Sequence, residues 1–500
     1  MASEGYLLGF DMGSSSIKAA LIDIATGQAA GEATSPKTEL AIASPQPGWA
    51  EQDPAVWWEN IVAAAAELRA ASGSAFDSVK AIGIAYQMHG LVLLDKAGKV
   101  LRPSIIWCDS RAVDIGEKAF HGIGERLCLD HLLNSPGNFT ASKLAWVKQN
   151  EPDIFSRVDC MLLPGDWAAW RMTGERSTTQ TGLSEGILWD FSTGSRADMV
   201  LDWFRIPHAL VPAAHPSFAT HGGLTAAAAG ELGLRKGTPV SYRAGDQPNN
   251  AFSLGVLDPG EAAATAGTSG VVYGIIDAPR FDPASRVNTF VHVNHEAANP
   301  RYGVLMCVNG TGILYSWLRR LLVGDSIGVP YAELNRVAAQ APVGSDGLVV
   351  LPFGNGAERT LENRNPGASV LGLDFNRHGI PQLLRAGQEG IVYALNFGLQ
   401  IMKGMGQDTR TIRAGHANMF LSPVFRDAFA TVTGALVELY DTNGAQGAAR
   451  GAGVGAGLYP GAKEAFRGMK PVQIVEPDLS HRDAYARAYD RWEEALRRSL

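Results

Sequence analysis

Tyr6-Leu7-Leu8-Gly9-Phe10-Asp11-Met12-Gly13-Ser14-Ser15-Ser16-Ile17-Lys18-Ala19-Ala20-Leu21-Ile22 is the stretch from which the rest of the chain is read. Two short apolar runs flank a small, polar turn, which is the pattern of a strand hairpin. No bulky side chain stands in Gly13-Ser14-Ser15-Ser16, so its backbone N–H groups and hydroxyls are open to a phosphate, with Lys18 just beyond. A plain connecting turn is the competing reading of such a cluster. Asp11 directly follows a buried strand, where it can hold a hydrated magnesium ion or cap the hairpin; Mg²⁺ takes one or two carboxylates and keeps several waters.

The same arrangement returns in the second half of the chain. Glu261-Ala262-Ala263-Ala264-Thr265-Ala266 runs into Gly267-Thr268-Ser269-Gly270 and then Val271-Val272-Tyr273-Gly274-Ile275-Ile276. Two such units fit a chain built from two related halves. A nucleotide triphosphate held between two lobes needs donors from both, so each turn strengthens the reading of the other. At 500 residues the chain exceeds the size at which a single core stops growing. The turn-rich Leu257-Asp258-Pro259-Gly260 places the division, giving domains of 1–257 and 258–500.

Between the hairpins, Asp53-Pro54 followed by Ala55-Val56-Trp57-Trp58-Glu59-Asn60-Ile61-Val62 predicts a helix with a cap, a first-turn proline and an apolar stripe. Residues 79–85 read as a buried strand ending at Tyr86-Gln87-Met88-His89-Gly90, and a strand's C-terminal end is where open α/β sheets present ligands. Residues 91–94 and 100–106 predict a hairpin. Further on, Gly237-Thr238-Pro239-Val240-Ser241-Tyr242-Arg243 leads to Ala244-Gly245-Asp246-Gln247-Pro248-Asn249-Asn250. Asp246 is placed in an exposed turn at a strand end, either as a general base within reach of a hydroxyl or as an Asx-turn acid. His89 reads as a structural or a catalytic histidine, and Met88 as core or ligand contact. Strands interleaved with helices make the class α/β.

The composition narrows the function classes. Hydrophobic residues make up 46% and charged residues 19%, with a net charge of −7, as in an ordinary globular protein. A mildly acidic balance without a Lys/Arg run argues against nucleic acid or an anionic membrane as partner. Met1-Ala2-Ser3-Glu4-Gly5 has no basic region before an apolar stretch, so a cytoplasmic location is expected. Cys108, Cys128, Cys160 and Cys307 lack any Cys-x-x-Cys spacing and read as reduced thiols. Gly98-Lys99 is followed by Val100, which excludes a Walker-type P-loop. Gly451-Ala452-Gly453-Val454-Gly455-Ala456 meets a relaxed dinucleotide fingerprint but opens no βαβ unit, and is read as close helix packing. His295-Glu296 has Asn299 where a zincin has its second histidine.

Several separated segments together resemble the FGGY carbohydrate kinases, and among them those acting on D-xylulose. They are Gly48-Trp49-Ala50-Glu51-Gln52-Asp53-Pro54 with Trp57-Trp58, Gln87-Met88-His89-Gly90, and Val100-Leu101-Arg102-Pro103-Ser104-Ile105-Ile106-Trp107 with Asp109 and Arg111. Lys143-Leu144-Ala145-Trp146-Val147, Leu162-Leu163-Pro164-Gly165-Asp166 with Arg171-Met172-Thr173-Gly174-Glu175, and Leu351-Pro352-Phe353 with Glu358-Arg359-Thr360 continue the likeness. It runs to about Leu458.

The resemblance implies two actin-like, ribonuclease H-like domains closing on ATP-Mg²⁺ and a sugar, with the active site in the cleft between them. It implies transfer of the ATP γ-phosphoryl group to the 5-hydroxyl of D-xylulose, and a homodimer. Asp246 would take the proton from the sugar hydroxyl, while Met88, His89, Gln247 and Asp11 line the substrate site. Asp11 and Asp246 would lie at the metal; Gly13 to Ser16 with Lys18, and Gly267, Thr268 and Ser269, would enclose the phosphates. Gly415, His416 and Asn418 would hold adenosine. A kinase for another ketose, polyol or aldonate is the alternative within the class, and a non-catalytic sugar- or nucleotide-binding protein of the same fold the alternative outside it. Three departures from the family pattern bear on selectivity: Gln247-Pro248 in place of Asn and a small residue, Asn138 opening the first signature, and Arg413-Ala414-Gly415 in place of three glycines.

Overall fold

The computed structural model describes residues 4–323 and 329–500. The opening stretch forms β1 (Tyr6–Met12) and β2 (Ile17–Asp23), antiparallel, with Asp11 opposite Lys18 and Met12 opposite Ile17. That register leaves residues 13–16 as the turn. β3 (Ala29–Ser35) pairs antiparallel with β2, while β4 (Val79–Tyr86) runs parallel to β1 and β5 (Val240–Gly245) parallel to β4. The sheet order is β5-β4-β1-β2-β3.

The second half repeats this topology. Its strands are β6 (Glu261–Ala266), β7 (Gly270–Ile276), β8 (Asn288–Val291), β9 (Tyr302–Val308), β10 (Thr411–Gly415), β11 (Leu436–Tyr440) and β12 (Gln473–Val475). They lie in the order β8-β9-β7-β6-β10-β11-β12. As in the first sheet, the central strand has a hairpin partner and a further antiparallel strand on one side and two parallel strands on the other. The weak echo between two Gly/Ser/Thr turns is therefore a full structural repeat of the ribonuclease H-like order.

The helices that frame the site are α1 (Pro54–Ser72), α2 (Thr140–Asn150), α3 (Gln180–Glu185), α4 (Asp246–Ser253), α5 (Gly312–Val323), α6 (Ile380–Gly404) and α7 (Gly444–Gly455). α1 begins as its sequence dictates: Asp53 caps it by accepting from the Ala55 N–H at 2.9 Å, and Pro54 holds the first helical position, where no N–H is needed. Alternate residues of β1 face opposite ways, so Leu8 and Phe10 join the core with Trp57 and Ile61 of α1, while Leu7 joins Ala448, Ala449 and Ala452 of α7.

α7 crosses back from the second half to lie on the first sheet, against β1, β2, β4 and β5. The contact is backbone to backbone: a Cβ at Gly9 would fall 2.0 Å from the Ala445 carbonyl oxygen, and one at Gly83 1.9 Å from that of Ala448. The glycines of the 451–456 run serve the same purpose from the helix side, Gly455 passing against the Ser241 carbonyl and Gly451 against the Tyr242 ring. Close helix packing, rather than a dinucleotide loop, is what that run encodes.

The expected hairpin of residues 91–94 and 100–106 forms only isolated bridges, Leu91 with Ile105 and Leu94 with Val100. Pro103 lacks the N–H a continuous ladder requires. Val92–Leu94 pairs instead with Cys160–Leu162.

Candidate active site

The parallel strands β1, β4 and β5 end in register, with Met12 opposite Tyr86 and Tyr86 opposite Gly245. Asp11, the segment Gln87-Met88-His89 and Asp246 consequently emerge at one sheet edge. This is the carboxyl-end crevice of an α/β sheet.

Asp246 is not in an exposed turn. Gly245 is extended, and Asp246 opens α4, with Pro248 in the first turn, where a missing N–H costs nothing. Burial, together with the negative charge of Asp11, pushes the Asp246 carboxyl up to about 7, against the pull of backbone N–H groups at Gln247 and at Asp246 itself. Burial also raises Asp11, opposed by the charge of Lys18, whose exposed side chain belongs to the residue paired with it across the hairpin. α7 completes this corner. Asn249 of α4 donates to the Gly444 carbonyl at 2.9 Å, and a Cβ at Gly444 would stand 2.3 Å from Asp11 Oδ2.

His89 has φ 61°, a left-handed conformation unusual for a side chain of its size. Its Nδ1 donates to the Glu185 carbonyl at 2.9 Å, and its ring lies edge-on to Phe139 of the first half (centroids 4.7 Å apart) and 5.8 Å from Phe290 of β8 in the second. Burial and the charge of Lys143 push the imidazole down to about 3, which leaves it neutral with Nε2 as an acceptor. Met88 is buried against Gly245, where a Cβ would lie 2.5 Å from Met88 Cγ and 2.6 Å from Glu185 Oε2. Gln247 is half-buried in the first turn of α4.

Glu185 escaped the sequence reading. It ends α3 and is fully buried, with the Tyr86 hydroxyl as its hydrogen-bonding neighbour. Burial raises it well above the carboxylate range, and the charge of Asp246 adds to the effect. No local pattern in Thr181-Gly182-Leu183-Ser184-Glu185 marks it, because its neighbours come from β4 and β5.

The Gly13–Ser16 turn is braced from outside. The Ser14 carbonyl accepts from Gln52 Nε2 at 2.7 Å and the Ser14 hydroxyl from Trp107 Nε1 at 3.3 Å, while Ser15 is exposed. In the second half, the Gly267 carbonyl accepts from Thr311 Oγ1 at 2.8 Å and from the Gly312 N–H at 2.7 Å, which fixes the turn to the start of α5. Gly267, Thr268 and Asn418 share a cavity of about 860 Å³ with Tyr315, Tyr331 and Asn335. Ser269, Gly415 and His416 do not line it; Gly415 ends β10 and His416 is exposed just beyond. The aromatic wall was missed, and its signal was present in Gly310-Thr311-Gly312, a second small-residue turn opening a helix. The two halves meet because α4, which begins with Asp246, packs on β6 and β7, the strands of the second turn.

Among the described residues no group of three His, Cys, Asp or Glu side chains could hold a metal by itself. Asp11 and Asp246 form a carboxylate pair, which suits an ion that draws its other ligands from water and phosphate. No helix among the described residues is long and apolar enough to cross a membrane.

The chain is 31% identical over 496 residues to the xylulose kinase of Escherichia coli K12, covering 98% of each chain. It is also 31% identical over 506 residues to the L-xylulose/3-keto-L-gulonate kinase of the same organism, covering 98% of this chain and 96% of that one. The crystal structure of xylulose kinase from Rhodospirillum rubrum superposes with a TM-score of 0.88 at 28% identity, over 98% of both chains. Residues 6–253 match the N-terminal domain, and residues 262–457 the C-terminal domain, of the FGGY family of carbohydrate kinases, and the chain belongs to that family.

Proposed function

We propose that the protein transfers the γ-phosphoryl group of ATP to the 5-hydroxyl of D-xylulose, giving D-xylulose 5-phosphate and ADP. The observation that carries this reading is Asp246: a carboxyl at the head of α4, on the sheet edge it shares with His89 and Met88, raised to about 7 by burial and by Asp11. A general base works best when its pKa lies near the working pH. Asp246 accepts the 5-hydroxyl proton as the oxygen–phosphorus bond forms and the β,γ-bridge breaks. Neutral His89 accepts a sugar hydroxyl at Nε2, and Met88 and Gln247 shape the pocket around it. The names of the Escherichia coli and Rhodospirillum rubrum xylulose kinases support xylulose as the acceptor, while the equally similar L-xylulose/3-keto-L-gulonate kinase keeps a sugar acid as the alternative.

In this reading residues 1–257 carry the sugar and the base, and 258–500 the nucleotide. Gly13 to Ser16 and Gly267 to Ser269 face the phosphates, and the adenosine occupies the cavity beside Asn418. Gly415 and His416 contribute from the loop behind Asn418. Asp11 and Asp246 would hold Mg²⁺, which when bound offsets the charge of the transferring phosphate. Positioning and exclusion of water, the competing nucleophile, are the protein's share of the work.

An ATP-coupled assay across ketoses, polyols and aldonates tests the proposal. D-xylulose is expected to give the highest kcat/KM. A panel in which a sugar acid such as 3-keto-L-gulonate or a polyol leads would overturn the substrate while leaving the kinase.

A further inference from the structure

The short connection from α4 into β6 is held at five backbone groups by side chains of the second half. The Gly255 carbonyl accepts from Arg413 Nη1 at 2.5 Å, the Val256 carbonyl lies 3.2 Å from His292 Nε2, and the Leu257 carbonyl accepts from Asn294 Nδ2 at 3.1 Å. The N–H groups of Leu257 and Asp258 both donate to Glu261 Oε2, at 2.9 and 3.1 Å. The Asp258 carboxylate pairs with Arg301 and Lys463.

Arg413 is the centre of this arrangement. It stands on β10, and besides Gly255 it reaches Glu261 Oε1 on β6 and Glu438 Oε2 on β11, each at 2.9 Å. Glu438 is itself held by the Tyr440 hydroxyl. One planar guanidinium therefore joins three strands of the nucleotide-side sheet to Gly255, two residues past the end of the helix beginning with Asp246. Gly255 is bound back to α4 by its own N–H, which donates to the Phe252 carbonyl at 2.8 Å. β6 runs into the Gly267 turn and β10 ends at Gly415. A fork to three separate oxygens of this kind is one that only arginine supplies.

We propose that Arg413 is a positioning residue which couples the nucleotide site to the placement of Asp246, so that sugar and ATP bind more tightly together than apart. The proposal rests on the assignment of Asp246 and of the nucleotide cavity given above. Such coupling is reciprocal, and a factor of five or more is typical.

The test is calorimetric titration of the full-length protein with the best sugar from the panel, with and without a non-hydrolysable ATP analogue and Mg²⁺, in wild type, Arg413→Ala and Arg413→Lys. The wild type is expected to show at least fivefold mutual tightening. Both variants are expected to reduce it to within twofold and to lower kcat at least tenfold, each ligand alone still binding within threefold of wild type. Arg413→Lys keeps the charge but cannot reach three oxygens, so it carries the test should Arg413→Ala fail to fold. Variants that lose only thermal stability, with coupling and kcat intact, overturn the proposal, as does a wild type whose two ligands bind independently. Should no sugar in the panel be phosphorylated, the functional reading fails first and this proposal with it; a kinase acting on a different sugar leaves it standing for test on that sugar.

Discussion

Lys143 donates its amine to the carbonyl of His89 at 2.8 Å, at the one residue of the Gln87-Met88-His89-Gly90 segment whose backbone is left-handed without being glycine. The same amine reaches the Ile106 carbonyl at 3.0 Å and is fully buried. A strained conformation persists only where its surroundings over-determine it. Here Lys143 fixes the backbone, the Glu185 carbonyl fixes the ring nitrogen, and Phe139 with Phe290 fixes the ring plane.

Burial pushes the Lys143 amine down to about 7, with nearby Asp109 and Cys108 opposing the shift. A neutral amine still has two N–H groups, enough for both carbonyls. An unfolded lysine titrates near 10.4, so between about 7 and 10 the unfolded chain binds more protons than the folded one. This residue therefore makes stability rise with pH across that window, by at most about 1.4 kcal/mol per unit. Lys143→Met is expected to flatten the slope between pH 7 and 9 in urea unfolding. Parallel curves for variant and wild type would show that the amine stays charged inside the fold.

With the His89 imidazole held down near 3, the sugar KM is expected to show no histidine titration between pH 5 and 8. His89→Ala should raise the sugar KM about tenfold or more, since a buried hydrogen-bonding group that reads a hydroxyl is lost. His89→Gln, which keeps an acceptor, should recover part of it. A break in KM near 6.5 that vanishes in both variants would mean the ring is charged in the free enzyme.

The hairpins, the start of α1 and the strand-end position of Asp11 were legible in the sequence because each depends on neighbours a few residues away. Asp53-Pro54 and Gly13-Ser14-Ser15-Ser16 carry their local geometry with them. Asp246 was picked out on the same ground, though its surroundings were misjudged: whether a strand-end acid is exposed depends on what packs around it, here the corner where its own helix α4 meets α7 from about two hundred residues further on. Glu185 and Phe290 had no local signature, since the sheets bring them together across the chain, and the wall of Tyr315, Tyr331 and Asn335 was announced only by the small-residue turn Gly310-Thr311-Gly312 before its first helix. Arg413 was visible as a departure from a pattern, but its three partners were not.

The contact of α7 with the first sheet sets a further expectation. Gly83→Ala places a methyl 1.9 Å from the Ala448 carbonyl oxygen, and Gly9→Ala one 2.0 Å from that of Ala445. Neither obstacle is a flexible side-chain tip, so the helix itself has to move. Overpacking of this kind costs about 1–3 kcal/mol, occasionally more. Because Gly444 at the head of α7 abuts Asp11, both variants should also lower kcat, read from assays on material shown by circular dichroism to be folded. Unaltered Tm and kcat would mean that α7 is not seated on these strands.

Asp246→Asn tests the base against its neighbour. The amide fills the same space, cannot accept the sugar proton, and removes the charge that faces Asp11. Loss of a general base costs about 10²–10⁴ in rate. Turnover should fall by that factor, with the affinity for a non-hydrolysable ATP analogue changed little. Asp11→Asn is expected to act differently: it removes one carboxylate from the proposed ion site, so its defect should lessen as Mg²⁺ is raised, whereas that of Asp246→Asn should persist at saturating Mg²⁺. Equal rescue of both variants would make Asp246 a ligand only, and the base would then have to be sought elsewhere along the same edge, with Glu185, the buried acid beside Gly245, the first to substitute.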